Sequence, residues 1–399
     1  MPAVRILAGR IHPGRVPARI ILVTDELPRP GIAGHLSYNH ALLAWAVDAG
    51  HEVSVLLTGP RLPGFAVRPT VPVYGPHAWL FAGLLWPRTP RALVRLLARA
   101  TIRRWRAAGA VLGSFPGAAD AAWCAAHLAR ARPDMVLIDT IFRSPLAPAA
   151  PPSVLIAHDL FHRRAAAFAA AGLAPTPAIT AAQEAALAAR CTLIAAIQPE
   201  EAALFRSLCP GRAVITLPMP ALPCPPPAGR PAGRRLAYLG SAAPANIAGL
   251  RWFLAEVWPH LHDITLDIIG DAGPALCSTL GVLPAGVTAH GRRRDIASVL
   301  HGADLAIAPL TFGSGLKIKL LDYARHGLTT VATGPAVAGF APGGPFIVAD
   351  DAAGFTAAIT AALEAPRRTI AALTYVAAHY APAACFAPLG EAIGRLVAV

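Results

Sequence analysis

Charge is scarce in this chain. Of its 399 residues only 14% are Asp, Glu, Lys or Arg, whereas 55% are hydrophobic, a balance that excludes a disordered chain and supplies material for large cores. Acidic groups are the scarcer, 22 against 35 basic ones, which leaves a formal charge of +13. Such an excess favours anionic partners: nucleotide-sugars, phospholipid head groups or nucleic acid. Part of it reflects the Ala-, Pro- and Arg-rich composition expected of a GC-rich bacterial genome and carries no functional meaning. The six cysteines, Cys124, Cys191, Cys209, Cys224, Cys277 and Cys385, show no CxxC spacing, so a reduced cytoplasm is the simplest setting and no metal site is expected. Without a zinc-type cysteine pair, an aromatic RNA-binding signature or a recognition-helix motif, nucleic acid is the least favoured partner. No uninterrupted apolar segment is read as long enough to span a membrane. Arg5, Arg10, His12 and Arg15 interrupt the N-terminal apolar residues, so no secretory signal is expected. Residues 1–18 carry no motif and read as an N-terminal extension.

Punctuating residues are plentiful instead, with 40 prolines and 34 glycines. In the first half they bound apolar runs at 19–24, 51–57, 132–139, 152–157 and 192–196, with helical stretches at 40–49 and 181–189. That alternation of strand, loop and helix is the grammar of a parallel sheet wrapped by helices. From Leu217 to Arg234 the sequence LPMPALPCPPPAGRPAGR forbids a helix interior or a central strand, so a boundary is expected there. The grammar then restarts with runs at 236–239, 264–269, 287–290, 303–310 and 328–333. At this length two compact domains are expected, over 19–216 and 236–380, with 217–235 as linker and 381–399 as a C-terminal helix. Two doubly wound α/β domains would place a cleft at the carboxyl ends of their strands.

The most informative motif is Gly313-Ser314-Gly315-Leu316-Lys317-Ile318-Lys319-Leu320-Leu321-Asp322, set between the last two of those runs. It is a loop that opens a helix inside a β-α-β unit. Gly313 and Gly315 let the backbone approach a ligand, the free N–H groups of the helix start favour an anion, and Lys317 and Lys319 add charge. Their spacing of two puts the lysines on different faces, so one of them at most is expected on phosphate. Asp322 follows on the same helix.

These residues resemble the GT-B glycosyltransferases, in particular the bacterial family-4-like, or group 1, sugar transferases. The resemblance is strongest from Leu236 to Gly339, where YLGS, Pro244-Ala245-Asn246, WFL, VWP, DIIGDAG, HGRRRD, ADLAIAPL, GSGLKIKLLDYARHG and VAT occur in that family's order. It implies two Rossmann-like domains facing a cleft, with the C-terminal helix packed back on the first. It also implies a nucleotide-sugar donor held by the second domain and a sugar or lipid-linked hydroxyl acceptor held by the first, with retention of configuration. Residue by residue, Gly240 and Ser241 would lie near the diphosphate and Gly270 and Asp271 by the nucleoside. Gly315, Leu316 and Lys319 would face the diphosphate or sugar, and Asp322 would bond a ribose hydroxyl. The leaving diphosphate gains charge as the glycosidic bond breaks, which is the chemical need for fixed donors and a lysine there. The resemblance implies protein groups for this task, and no Asp-x-Asp motif suggests a manganese site. The nucleotide-sugar is a substrate, and no cofactor is expected. Three departures stand out: Phe312 where the family has an acid, Asp322 where it has a longer glutamate, and Ala242 to Asn246 in place of a basic pair, for which Asn246 or Arg251 would partly substitute.

In the first domain His158 follows a strand, at the cleft end of the sheet, where the resemblance implies contact with the donor sugar. Were the enzyme inverting, His158 or Asp159 would be the general base. Arg163 lies in the same segment. Gly31-Ile32-Ala33-Gly34-His35 resembles the family's glycine loop, with Gly34 near donor phosphates; Asp25 and Glu26 are polar loop residues or acceptor contacts. Arg91, Arg95, Arg99 and Arg103, spaced by four, form either a solvated arginine face or a surface for anionic lipid, the latter making the protein peripheral on the inner face of the membrane. His260 and His262 show no metal-ligand pattern, and Trp252, Phe253 and Trp258 read as core. The rival readings are a catalytically weakened binding subunit and a sugar-nucleotide epimerase or phosphorylase of the same architecture.

Overall fold

Apolar runs closed by Gly, Pro or a polar turn become buried parallel strands, since a strand covered on both faces needs no polar alternation. The computed structural model describes residues 17–30, 34–59, 67–101, 114–174, 177–228, 233–293, 295–313, 315–365 and 369–397. Most of the expected extension, Gly31 to Ala33, Arg103 and Ser314 lie outside the described residues. Two compact units are present: unit 1 comprises 1–165, 175–218 and 385–399, and unit 2 comprises 166–174 and 219–384.

Unit 1 opens with β1 (Arg19–Thr24), α1 (Gly34–Asp48), β2 (Glu52–Leu57) and β3 (Val73–Tyr74). An antiparallel hairpin follows, β4 (Ala78–Phe81) with β5 (Leu84–Pro87), then α2 (Pro90–Thr101) and α3 (Ala118–Ala131). Next come β6 (Met135–Asp139), β7 (Ser153–Ala157), α4 (Phe161–Ala170), which runs on into unit 2, and α5 (Ala181–Ala188). Thr180 and Gln183 close a reciprocal capping box on α5. β8 (Leu193–Ala196), α6 (Pro199–Leu208) and β9 (Ala213–Thr216) complete the run. The sheet is parallel in the order β3-β2-β1-β6-β7-β8-β9, so its direction of winding reverses between β1 and β6.

Unit 2 repeats the plan. It contains β10 (Arg235–Leu239), α7 (Pro244–Trp252), β11 (Thr265–Ile269), α8 (Ala272–Leu280), β12 (Val287–Gly291), α9 (Ala297–Leu300) and β13 (Leu305–Ala308). It continues with α10 (Ile318–Arg325), β14 (Thr330–Ala332), α11 (Gly334–Val337), β15 (Phe346–Val348), α12 (Ala352–Glu364) and α13 (Thr369–His379). The order β12-β11-β10-β13-β14-β15, all parallel, is that of the dinucleotide-binding fold, with its reversal between β10 and β13. Phe253, Trp258 and Phe355 sit in its core.

The last helix, α14 (Pro382–Val397), returns the chain to unit 1. Its Phe386 is fully buried, with ring centroids 5.7 Å from Tyr38 and 5.4 Å from Trp45 on α1. Thr369–Val397 is long and apolar enough to cross a membrane by length and composition, contrary to the sequence reading. It is two helices, however, and each buries an apolar face: Ala372 and Val376 from α13, Phe386, Leu389 and Ile393 from α14. Residues 217–228 carry no helix or strand, as their prolines require. They are strapped to unit 2 by Ala221 N–H donating to the Tyr380 carbonyl and Cys224 N–H to that of Arg325, both at 2.7 Å.

Candidate functional site

Each unit presents a cluster of polar side chains where its strand order reverses, at the carboxyl edge of the sheet. In unit 2 the β10–β13 ladder pairs Ala237 with Ala306, and further along Leu239 donates its N–H to the Tyr323 hydroxyl of α10 at 2.6 Å. Gly240 follows at once. A β-carbon on Gly240 would lie 2.5 Å from the Tyr238 ring, and one on Gly270, whose φ is +100°, would strike the Gly240 carbonyl. The two loops therefore pack backbone against backbone, which only glycine allows. Gly240→Ala is expected to lower the stability of unit 2 by about 1–3 kcal/mol through overpacking. A urea midpoint equal to that of the parent would show that the ring can move aside.

The residues around Gly240 form a continuous polar chain. Lys319 donates from Nζ to the Tyr238 hydroxyl at 3.0 Å and to Asn246 Oδ1 at 2.7 Å, and its ammonium stands 4.3 Å from the centroid of the Tyr238 ring. The Asn246 amide then donates to the Ser241 carbonyl at 3.1 Å and hydroxyl at 3.2 Å. Burial, helped by nearby Lys317, brings the Lys319 pKa down to about 7. This is a cation held by neutral partners, with charge left to offer an anion.

The segment leading into α10 needs its glycines. Gly313 and Gly315 have φ of +133° and +72°, a region that side-chain-bearing residues avoid. Lys317 donates from Nζ to the Gly315 carbonyl at 2.6 Å, so the two lysines do diverge. Leu316 is buried and would meet a ligand through its backbone. Asp322 lies one turn beyond Lys319 on α10; burial raises its pKa to about 6 against the pull of Arg325, 3.9 Å away. Asp271 pairs through both oxygens with the Arg292 guanidinium, at 2.8 and 2.7 Å from Nε. Gly240, Ser241, Asn246, Gly270 and Lys319 are thus brought together, with Gly313, Gly315, Leu316 and Lys317 forming the approach to α10. Asp271 and Asp322 have ion-pair partners of their own.

In unit 1, Thr24 closes β1 and Asp139 closes β6, the strands on either side of the reversal. Thr24 donates from Oγ1 to Asp139 Oδ2 at 2.7 Å, and His158 Nε2, just after β7, lies 3.0 Å from Oδ1. Burial works against the charge on Asp139, yet the hydrogen bond and charge of His158, the charge of His35 and the Thr24 hydroxyl hold its carboxyl well below the usual carboxylate range. A carboxylate only accepts, so neutral His158 carries its proton on Nε2 and presents Nδ1 as a lone pair. Tyr38 packs edge-on against this imidazole, with centroids 5.1 Å apart, and His35 lies 6.0 Å away. Burial pushes the His35 pKa below the ordinary imidazole value, and His158 adds to this against the attraction of Asp139 and Glu26. Asp159 is buried and accepts from Arg164 at 3.2 Å, while Arg163 is exposed. Gly34 begins α1, next to His35. Asp139, Thr24, Tyr38 and Tyr238 were not among the sequence candidates; for the first two the available signal was a polar residue ending an otherwise apolar strand.

Residues 233–365 match the family model described as "Glycosyl transferases group 1". They form a group 1 glycosyltransferase domain. This domain contains the whole polar chain of Tyr238, Ser241, Asn246 and Lys319, and Asp322 as well. The full chain is similar in fold to sucrose-phosphate synthase from Thermosynechococcus elongatus, with a TM-score of 0.67 at 15% identity over 96% of this chain and 99% of that one. HepE from Anabaena, solved with UDP and glucose, gives 0.64 at 14% over 94% and 99%. WaaG, a glycosyltransferase involved in lipopolysaccharide biosynthesis, gives 0.62 at 16% over 94% and 99%. The group 1 domain and its partner unit together have the GT-B fold, two Rossmann-like sheets in one chain. No curated protein matches the chain by sequence.

Proposed function

We propose that this transferase moves a sugar from a nucleoside-diphosphate sugar to a hydroxyl acceptor, unit 2 holding the donor and unit 1 the acceptor. The observation that carries the reading is Lys319, a cation fixed by Tyr238 and Asn246 beside Gly240 and the start of α10. As the bond between the sugar carbon and the diphosphate oxygen breaks, the leaving group gains negative charge. Lys319 binds that charge more tightly than it binds the intact donor, which lowers the barrier. The N–H groups of Ile318 and Leu320, expected from the sequence to be free, already donate to the Leu316 and Lys317 carbonyls at 3.1 and 2.9 Å. Asp322, largely ionised above pH 6, accepts from the ribose hydroxyls. The sugar in HepE and the lipopolysaccharide role of WaaG support a polysaccharide or glycolipid product. We propose retention of configuration, which the resemblance to group 1 transferases implies. Of the two candidate inverting bases Asp159 is engaged by Arg164, and His158 is assigned instead to a sugar hydroxyl, accepting its hydrogen bond at Nδ1. The test is incubation with UDP-, ADP- and GDP-sugars, with and without hydroxyl acceptors, following released nucleoside diphosphate and the anomer formed. Binding of donor without release across the panel would replace this reading with a binding subunit. A new sugar-nucleotide isomer formed without acceptor would indicate an epimerase.

The proposal extends to a peripheral position on the cytoplasmic membrane face. Trp79 and Phe81 on the β4–β5 hairpin are 56% and 68% exposed, which is costly in water unless something covers them. Val94 and Leu97 on neighbouring α2 are also exposed, and the same helix carries Arg91, Arg95 and Arg99. Aromatic tips beside a basic amphipathic helix suit an anionic bilayer. Trp79→Ser with Phe81→Ser is expected to weaken binding to vesicles containing phosphatidylglycerol by roughly a hundredfold or more, from about 1.5–3 kcal/mol for each of the two buried aromatics. Equal partition of variant and parent would assign α2 to a solvated arginine face.

A further inference from the structure

We propose that Cys224, His301 and His326 bind a divalent transition metal of the zinc class, clamping the proline-rich strap onto unit 2. The three residues come from separate stretches: the strap, the end of α9 and the end of α10. One nitrogen from each ring and the Cys224 sulfur lie within 4.8 Å of one another. His326 Nδ1 and His301 Nε2 are 3.0 Å apart, and the rings meet at 64°. Tetrahedral zinc, with bonds of about 2.0 Å to nitrogen and about 2.3 Å to sulfur, needs ligand separations of about 3.3–3.6 Å. The nitrogens already stand close to that spacing. The sulfur has on the order of an ångström to travel.

The convergence is imposed by the backbone. Cys224 N–H donates to the Arg325 carbonyl at 2.7 Å, which sets the thiol next to His326, and Arg325 Nε donates to the Leu222 carbonyl at 3.1 Å. His326 is in turn tied by its own N–H to the Tyr323 carbonyl at 3.1 Å. A site whose ligands are positioned by main-chain bonds loses little freedom on binding. The donor set of two imidazoles and a thiolate selects zinc, cobalt or nickel over magnesium or calcium. Three protein ligands leave the fourth position to water.

The proton balance follows from the contacts. His301 Nε2 also lies 3.0 Å from the Cys224 carbonyl oxygen, so before metal binds this nitrogen carries the proton and shares it between that oxygen and His326 Nδ1. Binding moves the proton to the other nitrogen of the His301 ring and releases the thiol proton to solvent. The metal then takes a lone pair from each imidazole and from the thiolate, with one proton set free per ion. Because His326 directly follows α10, which bears Lys319, the ion would stiffen the end of the helix that carries the donor lysine, although the metal site does not depend on the transfer reading.

Cobalt(II) is the probe. Titrated into the full-length, metal-stripped protein, it is expected to give a near-ultraviolet sulfur-to-cobalt charge-transfer band and the intense visible bands of a tetrahedral ion, both displaced by zinc. Cys224→Ser should abolish the charge-transfer band, and His326→Gln should weaken cobalt binding at least about tenfold. Cys277→Ser, at the other half-buried cysteine, should leave both unchanged. Far-ultraviolet circular dichroism establishes that each variant is folded. Absence of the band in the parent protein, its survival in folded Cys224→Ser, or its loss in Cys277→Ser would each overturn the site.

Discussion

Lys319→Ala is expected to lower kcat/KM for the nucleotide-sugar about a hundredfold, with most of the loss in kcat. Removing one fixed donor to a developing anion typically has an effect of this size, and a hundredfold corresponds to about 2.7 kcal/mol of transition-state stabilisation. The change also strips Asn246 Oδ1 and the Tyr238 hydroxyl of their shared donor, so Asn246→Ala should show a smaller loss, through positioning alone. The pH profile separates a charge effect from a packing effect. With its pKa near 7 in the free enzyme, Lys319 loses its proton as pH rises, so kcat/KM should fall through about pH 7 on the alkaline side. A bound diphosphate favours the ammonium, so the corresponding limb of kcat should lie at higher pH. Stability moves the other way. The unfolded chain holds this proton up to about pH 10.4, so between about 7 and 10.4 unfolding takes up a proton and the contribution of Lys319 to stability grows with pH. Kinetics indistinguishable from the parent would remove Lys319 from the site.

Asp139→Asn should reduce kcat by about two orders of magnitude while leaving KM near its parent value. If the amide oxygen keeps the place of Oδ2 and goes on accepting from Thr24, the NH2 faces His158, which moves the imidazole proton from Nε2 to Nδ1 and removes the lone pair. A wrong tautomer at a histidine is costly to any step that needs its free nitrogen. If the two residues act as a unit, His158→Ala on top of Asp139→Asn should add little. Asp139→Ala tests the structural side: it leaves the Thr24 hydroxyl and His158 facing an empty buried site and should cost about 3 kcal/mol. The acid limb has a definite sign. Because the folded carboxyl titrates below its unfolded value of about 3.9, its stabilisation is complete above that pH and is lost as pH falls further, so Asp139→Asn should flatten the acid branch of the stability curve. A folded Asp139→Asn protein with parental kcat would end the assignment of His158 Nδ1 to a sugar hydroxyl.

The unit 2 site was largely legible because its chemistry is local. Gly313 to Asp322 is one stretch of sequence, and glycine's positive φ and lysine's charge are properties that a residue carries with it. The partners of Lys319 were less so: Tyr238 looks like a strand former, and nothing in its neighbourhood announces that its hydroxyl meets a lysine 81 positions away. Unit 1 hid more. Thr24 and Asp139 are 115 residues apart, and only the parallel pairing of β1 with β6 brings their strand ends together. An aspartate closing an apolar run reads as the first residue of a turn until topology gives it neighbours. The β4–β5 hairpin escaped notice because Trp79, Leu80 and Phe81 do not alternate with polar residues, as a half-buried strand should. Cys224, His301 and His326 share no spacing rule, since three loop ends create their cluster.

The path of the chain between the units sets a limit on dissection. Residues 166–174 belong to unit 2 although both flanking stretches belong to unit 1, and residues 385–399 close the unit in which β1 began. A gene fragment ending at Pro218 would omit Phe386 and leave Tyr38 and Trp45 around an unfilled hole. The group 1 domain and its companion are therefore one inheritance, to be swapped between relatives only when the final helix travels with the first half.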